Sequence, residues 1–86
     1  AWFEQNGYTV YELPKDLPFE GAGDALLDRE GRWLWAGYGF RSELDSHPYL
    51  AKWLDIEVLS LRLIDDRFYH LDTCFCPLAN GYLLYY

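Results

Sequence analysis

Ala25-Leu26-Leu27-Asp28-Arg29-Glu30-Gly31-Arg32-Trp33-Leu34-Trp35-Ala36 reads as two short apolar runs flanking a charged turn, and this stretch decides the fold class. Gly31 supplies the turn, so the two runs are predicted to fold back on each other as a β-hairpin. Downstream, Leu44, Leu50, Trp53 and Leu54 fall near one face of a helix, the only long one in the chain. Ser42 followed by Asp45 has the form of a variant capping box at its start. Pro48 cannot donate a backbone hydrogen bond, so the helix either begins near Ser46 or holds the proline in its first turns. Ile56 to Leu63 then alternates, with Leu59, Leu61 and Leu63 on one side, and is predicted as a buried strand. The order is β-β-α-β, which places the chain in the α/β (α+β) class, with a mixed sheet and one main helix.

Outward from this unit the signals are local. Ala1 to Asn6 looks like the last turn of a helix, with Asn6-Gly7 to end it. Tyr8 to Leu13 alternates as a strand until Pro14 stops it. Pro14 to Gly23 is predicted as a loop with tightly specified backbone. Toward the other end, Phe68–Pro77 and Tyr82–Tyr86 flank Asn80-Gly81, a strong short-range hairpin signal. An opening helical end and a closing strand without a turn signal are both read as cut ends, and residues 1–86 are expected to form a single domain.

Composition sets outer limits. The 86 residues are 51% hydrophobic and 20% aromatic, with four Trp and eight Tyr, which excludes a disordered tail and implies one densely packed core. The formal charge of −7 would repel phosphate backbones and anionic membrane surfaces, so neither nucleic acid nor membrane is expected as a partner. Such a field suits a cationic ligand, although charge alone favours solubility as its explanation by a wide margin. No apolar stretch has the length needed to span a bilayer, and the two cysteines do not make a disulfide framework; a cytoplasmic setting is expected.

Three pieces could carry chemistry. Alternation along Tyr69-His70-Leu71-Asp72-Thr73-Cys74-Phe75-Cys76 would place His70, Asp72, Cys74 and Cys76 on one face of a strand. Residues two apart on a strand stand ~6.6 Å from each other and four apart ~13 Å, too far for a single zinc whose ligands lie within about 2.0–2.3 Å of it. No metal site is expected, and Cys74 and Cys76 are read as packed thiols. A histidine with a carboxylate two residues on is better suited to proton transfer beside a cation, although a solvated surface pair reads the same way. The second piece, Phe19-Glu20-Gly21-Ala22-Gly23-Asp24, spaces two carboxylates with small residues that let backbone approach a ligand. In the third, Gly37-Tyr38-Gly39-Phe40-Arg41-Ser42, Arg41 could hold a ligand carboxylate in bidentate fashion.

In this order the Phe-Glu-Gly…Asp loop, the Gly-x-Gly-x-Arg-Ser segment and the His-Leu-Asp-Thr-x-Phe strand resemble the pentein superfamily. That superfamily holds arginine deiminases, amidinotransferases and dimethylarginine dimethylaminohydrolases, and the resemblance runs from about Pro18 to Tyr86. It implies a propeller of five β-β-α-β units around a polar channel, of which this chain would be an internal fragment. A cysteine attacks the guanidinium carbon and the resulting amidino intermediate passes to water or an amine. By the same resemblance Glu20 and His70 are the catalytic pair, His70 as acid and base and Glu20 orienting it. Asp72, Asp24 and Arg41 bind the substrate, Asp72 through the guanidinium nitrogens and Arg41 through the carboxylate. The spacing from Glu20 to Asp24 is one residue longer than the Phe-Glu-Gly-Gly-Asp form. No cofactor is implied, and the partner is an arginine-like guanidino compound.

The nucleophilic cysteine of the family lies well beyond the His-x-Asp strand, so the chain alone is expected to be inactive. A non-catalytic binding or assembly module is the competing expectation, and it separates Glu20 from His70 in space. Unpaired strand edges and exposed aromatics further predict a homo-oligomer.

Overall fold

A computed structural model describes residues 1–86. Its regular elements in chain order are α1 (Trp2–Gln5), α2 (Gly21–Asp24), β1 (Ala25–Leu27), β2 (Trp33–Tyr38), α3 (His47–Leu54), β3 (Glu57–Arg62), β4 (Phe75–Pro77) and β5 (Leu83–Tyr85). Single 3-10 turns cover Leu44–Ser46, Leu71–Thr73 and Ala79–Gly81.

Strand β2 is the centre of a mixed three-stranded sheet in the order β1-β2-β3. It pairs antiparallel with β1, Leu26 opposite Trp35, through the tight turn at Gly31. Its other edge pairs parallel with β3, from Trp33 opposite Glu57 to Tyr38 opposite Arg62, and α3 lies in the crossover between them. The β-β-α-β order read from the sequence is the order observed.

Alternation on β2 gives the sheet two different faces. Leu34 and Ala36, 6% and 0% exposed, point to the side covered by α3. There His47 Nδ1 lies 2.7 Å from Ser60 Oγ, and the His47 ring packs edge-on against Tyr38 with centroids 5.9 Å apart. Trp35 and Gly37 point to the opposite side, where Trp35 meets Phe75 with ring centroids 5.1 Å apart and Gly37 backs onto Leu71. Leu71 is 2% exposed, and burying such a side chain stabilises the fold by about 1.5–3 kcal/mol. A second, two-stranded sheet, β4 with β5, closes through Asn80 (φ 62) and Gly81 (φ 78), the paired left-handed residues that a two-residue hairpin turn demands.

Four expectations are corrected. Tyr8 to Leu13 is no strand: no other segment pairs with it, and Tyr8, Val10 and Tyr11 are exposed, with Tyr11 stacked on Trp53 at 5.2 Å. Alternation alone cannot satisfy a strand's backbone groups. The Pro14–Gly23 loop ends in a helical turn, α2. Ser42 does not cap α3; its hydroxyl is engaged elsewhere, and Ser46 precedes the helix, with Pro48 in the first turn, where a missing N–H costs nothing. Finally, His70 to Cys76 is not one continuous strand. Leu71–Thr73 forms a 3-10 turn closed by Thr73 N–H to His70 O and Cys74 N–H to Leu71 O, so His70 and Asp72 do not share a strand face. Of the two cysteines, Cys74 is half-buried but Cys76 is exposed at the edge of the small β4–β5 sheet.

No helix is long and apolar enough to cross a membrane.

Candidate active site

Glu20, the residue before the single turn of α2, projects its carboxylate from a loop tied at two points. Glu43 N–H donates to Pro18 O at 2.9 Å, and Glu20 N–H donates to Ser42 Oγ at 2.9 Å. The loop therefore cannot move independently of the segment that follows β2. On the same face of the sheet, the 3-10 turn at Leu71 holds His70 in extended backbone, with Thr73 Oγ1 donating to His70 O.

These two segments meet. His70 Nε2 lies 2.8 Å from Glu20 Oε2, although the residues are 50 apart in sequence. The second carboxylate oxygen, Oε1, accepts from Arg41 Nη1 at 3.2 Å. Arg41 also lies over the Tyr69 ring at 4.7 Å, and Tyr69 stands edge-on to His70 with centroids 5.1 Å apart. The His70 hydrogen bond holds the Glu20 pKa below the ordinary carboxylate range, and the Arg41 hydrogen bond adds to it, against the opposing effect of burial. An ionised Glu20 only accepts hydrogen bonds, so Nε2 carries a proton and Nδ1 is the nitrogen left to exchange one.

Gly23 forms the floor under the imidazole. A Cβ there would lie 3.1 Å from His70 Cγ and 3.3 Å from Nδ1, so only glycine leaves the ring its full space. His70 is consequently 21% exposed and Glu20 43%, a pair open to solvent on one side. Five surface cavities are lined by neither residue; the most apolar of them, about 370 Å³, lies between Leu61, Leu71 and Phe75 instead.

Of the other residues expected at the site, Arg41 stands beside Glu20, and Asp72 is exposed on the 3-10 turn just past His70. Asp24 needs correction. It is 0% exposed, its Oδ2 accepts from Ser42 Oγ at 2.6 Å and its Oδ1 from Leu71 N–H at 2.9 Å, so both oxygens point into the protein and not toward a ligand. Asp24 ends the helical turn α2, facing inward. Sequence reasoning missed Ser42, Gly23 and Tyr69 as parts of this arrangement. Ser42 was visible in the Gly-x-Gly-x-Arg-Ser segment but has the look of a helix cap, and nothing local marks Gly23 as a floor for a ring 47 residues away. No group of three His, Cys, Asp or Glu side chains stands close enough to hold a metal ion.

Comparison with known proteins gives this geometry a context. No protein-family model matches the chain. It is 98% identical over 85 residues to the bifunctional arginine dihydrolase/ornithine cyclodeaminase AgrE of Nostoc sp., covering 99% of this chain and 12% of that protein. It is also 45% identical over 67 residues to the N(G),N(G)-dimethylarginine dimethylaminohydrolase of Mycobacterium tuberculosis, covering 78% of this chain and 22% of that protein. Among solved structures, a cysteine-to-alanine mutant of AgrE in complex with L-arginine superposes with a TM-score of 0.92 at 98% identity, over 99% of this chain and 13% of that one. The substrate-bound N-terminal domain of ArgZ, a cyanobacterial arginine dihydrolase, gives 0.91 at 88% identity, over 99% of this chain and 31% of that domain. The chain thus spans about an eighth of AgrE and just under a third of the ArgZ N-terminal domain. The sequence and the fold both match guanidine-modifying relatives, and the chain belongs to the pentein superfamily.

Proposed function

We propose that this chain is the acid–base segment of an arginine-hydrolysing pentein site, one wedge of a five-unit propeller, with the nucleophilic cysteine supplied from outside these 86 residues. The observation that carries this reading is the 2.8 Å contact between His70 and Glu20 across the fold, with Arg41 on the other carboxylate oxygen.

Chemically, a thiolate adds to the guanidinium carbon, and the carbon–nitrogen bond then breaks only if the departing nitrogen receives a proton. His70 gives that proton and later removes one from the water that attacks the amidino–sulfur intermediate, releasing the thiolate. Glu20 fixes the orientation of the ring through Nε2. Asp72, exposed on the turn that presents His70, pairs in this reading with the flat guanidinium, and Arg41 with the carboxylate of an arginine-like substrate. The bound L-arginine of the AgrE complex belongs to a protein of this substrate class. A binding module without chemistry has no need for this pair and would leave the two residues apart.

The test uses full-length AgrE, substituted at the positions equivalent to Glu20 and His70. His70→Asn should lower kcat for arginine by roughly 10²–10⁴-fold and Glu20→Gln by less. The 86-residue chain itself should turn over no arginine. Turnover by that chain, lost in Cys74→Ser, would mean that the nucleophile is already within it.

A further inference from the structure

Both catalytic side chains of the proposed site hang from backbone that a single buried carboxylate ties together. Asp24 Oδ2 accepts from Ser42 Oγ at 2.6 Å, and the same Ser42 oxygen accepts from Glu20 N–H at 2.9 Å. Asp24 Oδ1 accepts at 2.9 Å from the N–H of Leu71, the residue after His70. Three segments, 18 and 29 residues apart along the chain, thus converge on one side chain with no access to solvent. Gly37 is part of the fit, since a Cβ there would stand 2.9 Å from Leu71 Cβ and 3.0 Å from Asp24 Oδ1.

We infer that Asp24 and Ser42 are positioning residues that set the distance between Glu20 and His70, Ser42 through the Glu20 backbone and Asp24 through both. The alternative for a buried Asp–Ser pair is general support of the fold, and the directions of the hydrogen bonds argue against so diffuse a part. A serine hydroxyl has one proton and two lone pairs. Here the proton is spent on Asp24 and a lone pair on Glu20 N–H, so the orientation of the hydroxyl is fixed by one residue and in turn fixes another. The Leu71 N–H is the first backbone donor after His70, so a shift of Asp24 moves the imidazole with it. Near-attack geometry is sensitive at this scale: about 1 Å of misplacement costs on the order of a hundredfold in rate.

This inference rests on Glu20 and His70 being the catalytic pair, and its test separates the two ideas. In full-length AgrE, at the equivalent positions, Ser42→Ala should lower kcat about tenfold and leave KM within about twofold. Ser42→Thr, which keeps the hydroxyl, should recover most of the loss. Asp24→Asn should act in the same direction, but it leaves a buried donor facing the Ser42 hydroxyl and can fail to fold, so Ser42 carries the decision. The decisive comparison is the double variant. If Ser42 works through Glu20, Ser42→Ala adds nothing to Glu20→Gln, because the group being positioned is already gone. Losses that multiply, or a Ser42→Ala enzyme with unchanged kcat, overturn the positioning role while leaving the catalytic pair standing. A Glu20→Gln enzyme with undiminished kcat overturns the pair and the inference together.

Discussion

At the scale of single residues, the site depends as much on atoms that are absent as on those present. Gly23 has no side chain, yet its bare Cα decides where the His70 ring can rest, because an added methyl would crowd Cγ at 3.1 Å. Its backbone does not require a left-handed conformation, so alanine fits the chain and offends only the ring. Within the helical turn of α2, alanine also loses less entropy on folding than glycine, an advantage of about 0.5–1 kcal/mol. Gly23→Ala should therefore move stability and activity in opposite directions. In the full-length relative we expect an unchanged or slightly higher melting temperature together with a kcat lowered roughly threefold to tenfold, since a few tenths of an ångström of ring displacement is a fraction of the misplacement that costs a hundredfold. Thermal melts and steady-state kinetics on the same preparation check this, and a parallel fall in both would place Gly23 in the fold and not in the site.

At the scale of elements, what the sequence made legible follows how local each signal is. The hairpin of β1 and β2, the strand β3 and the Asn80-Gly81 turn rest on residues close together, and each is where the pattern placed it, although β3, expected to be buried, is an edge strand with no buried residue. The segment from His70 to Cys76 alternates as cleanly but folds as a 3-10 turn followed by β4, because the Leu71 N–H is taken by Asp24, 47 residues earlier, before any strand partner can claim it. The position of Ser42 escaped for the same reason, its partners being 18 and 22 residues away. The seat of α3 on the sheet was equally hidden. His47 sits there 3% exposed, its Nδ1 against Ser60 and its Nε2 buried without a partner. Burial pushes its pKa below the ordinary imidazole value of 6.5, opposed in part by the Gly37 backbone and by Asp24. The unfolded chain thus takes up a proton at a pH where the folded one refuses it, so unfolding is favoured by acid. Stability from this residue is whole above about pH 6.5 and falls as pH drops toward the lowered value in the folded state. Urea titrations at stepped pH should show that slope, and His47→Gln should flatten it. An equal slope in the variant would assign the loss to other groups.

At the scale of the whole molecule, the outer surface is more apolar than the interior can account for. Ten of 86 residues are buried, while Trp2, Ile64, Tyr82, Tyr85 and Tyr86 are each more than 60% exposed. Trp2, Phe3 and Tyr8 cluster at one end, with ring centroids 5.3–6.2 Å apart, and β5 presents Leu84 and Tyr85 at an edge. Grouped aromatics and an unpaired strand edge each favour association, by burial of rings and by edge-to-edge pairing. The charge of −7 works against it, since every copy repels every other. Which effect wins depends on the ionic strength: the screening length is about 30 Å at 0.01 M salt and about 8 Å at 0.15 M. At the lower value the repulsion extends across most of the molecule, whose longest dimension is 40 Å, and at the higher it is confined to close contact, where the aromatic faces attract. The isolated chain should therefore self-associate with increasing concentration, and more strongly as salt is raised. Light scattering over a concentration series at two salt levels decides between the alternatives. A mass that stays monomeric in both would mean that the exposed rings are too dispersed to form a patch, whereas association that weakens with salt would mean that ion pairs, not rings, hold the copies together.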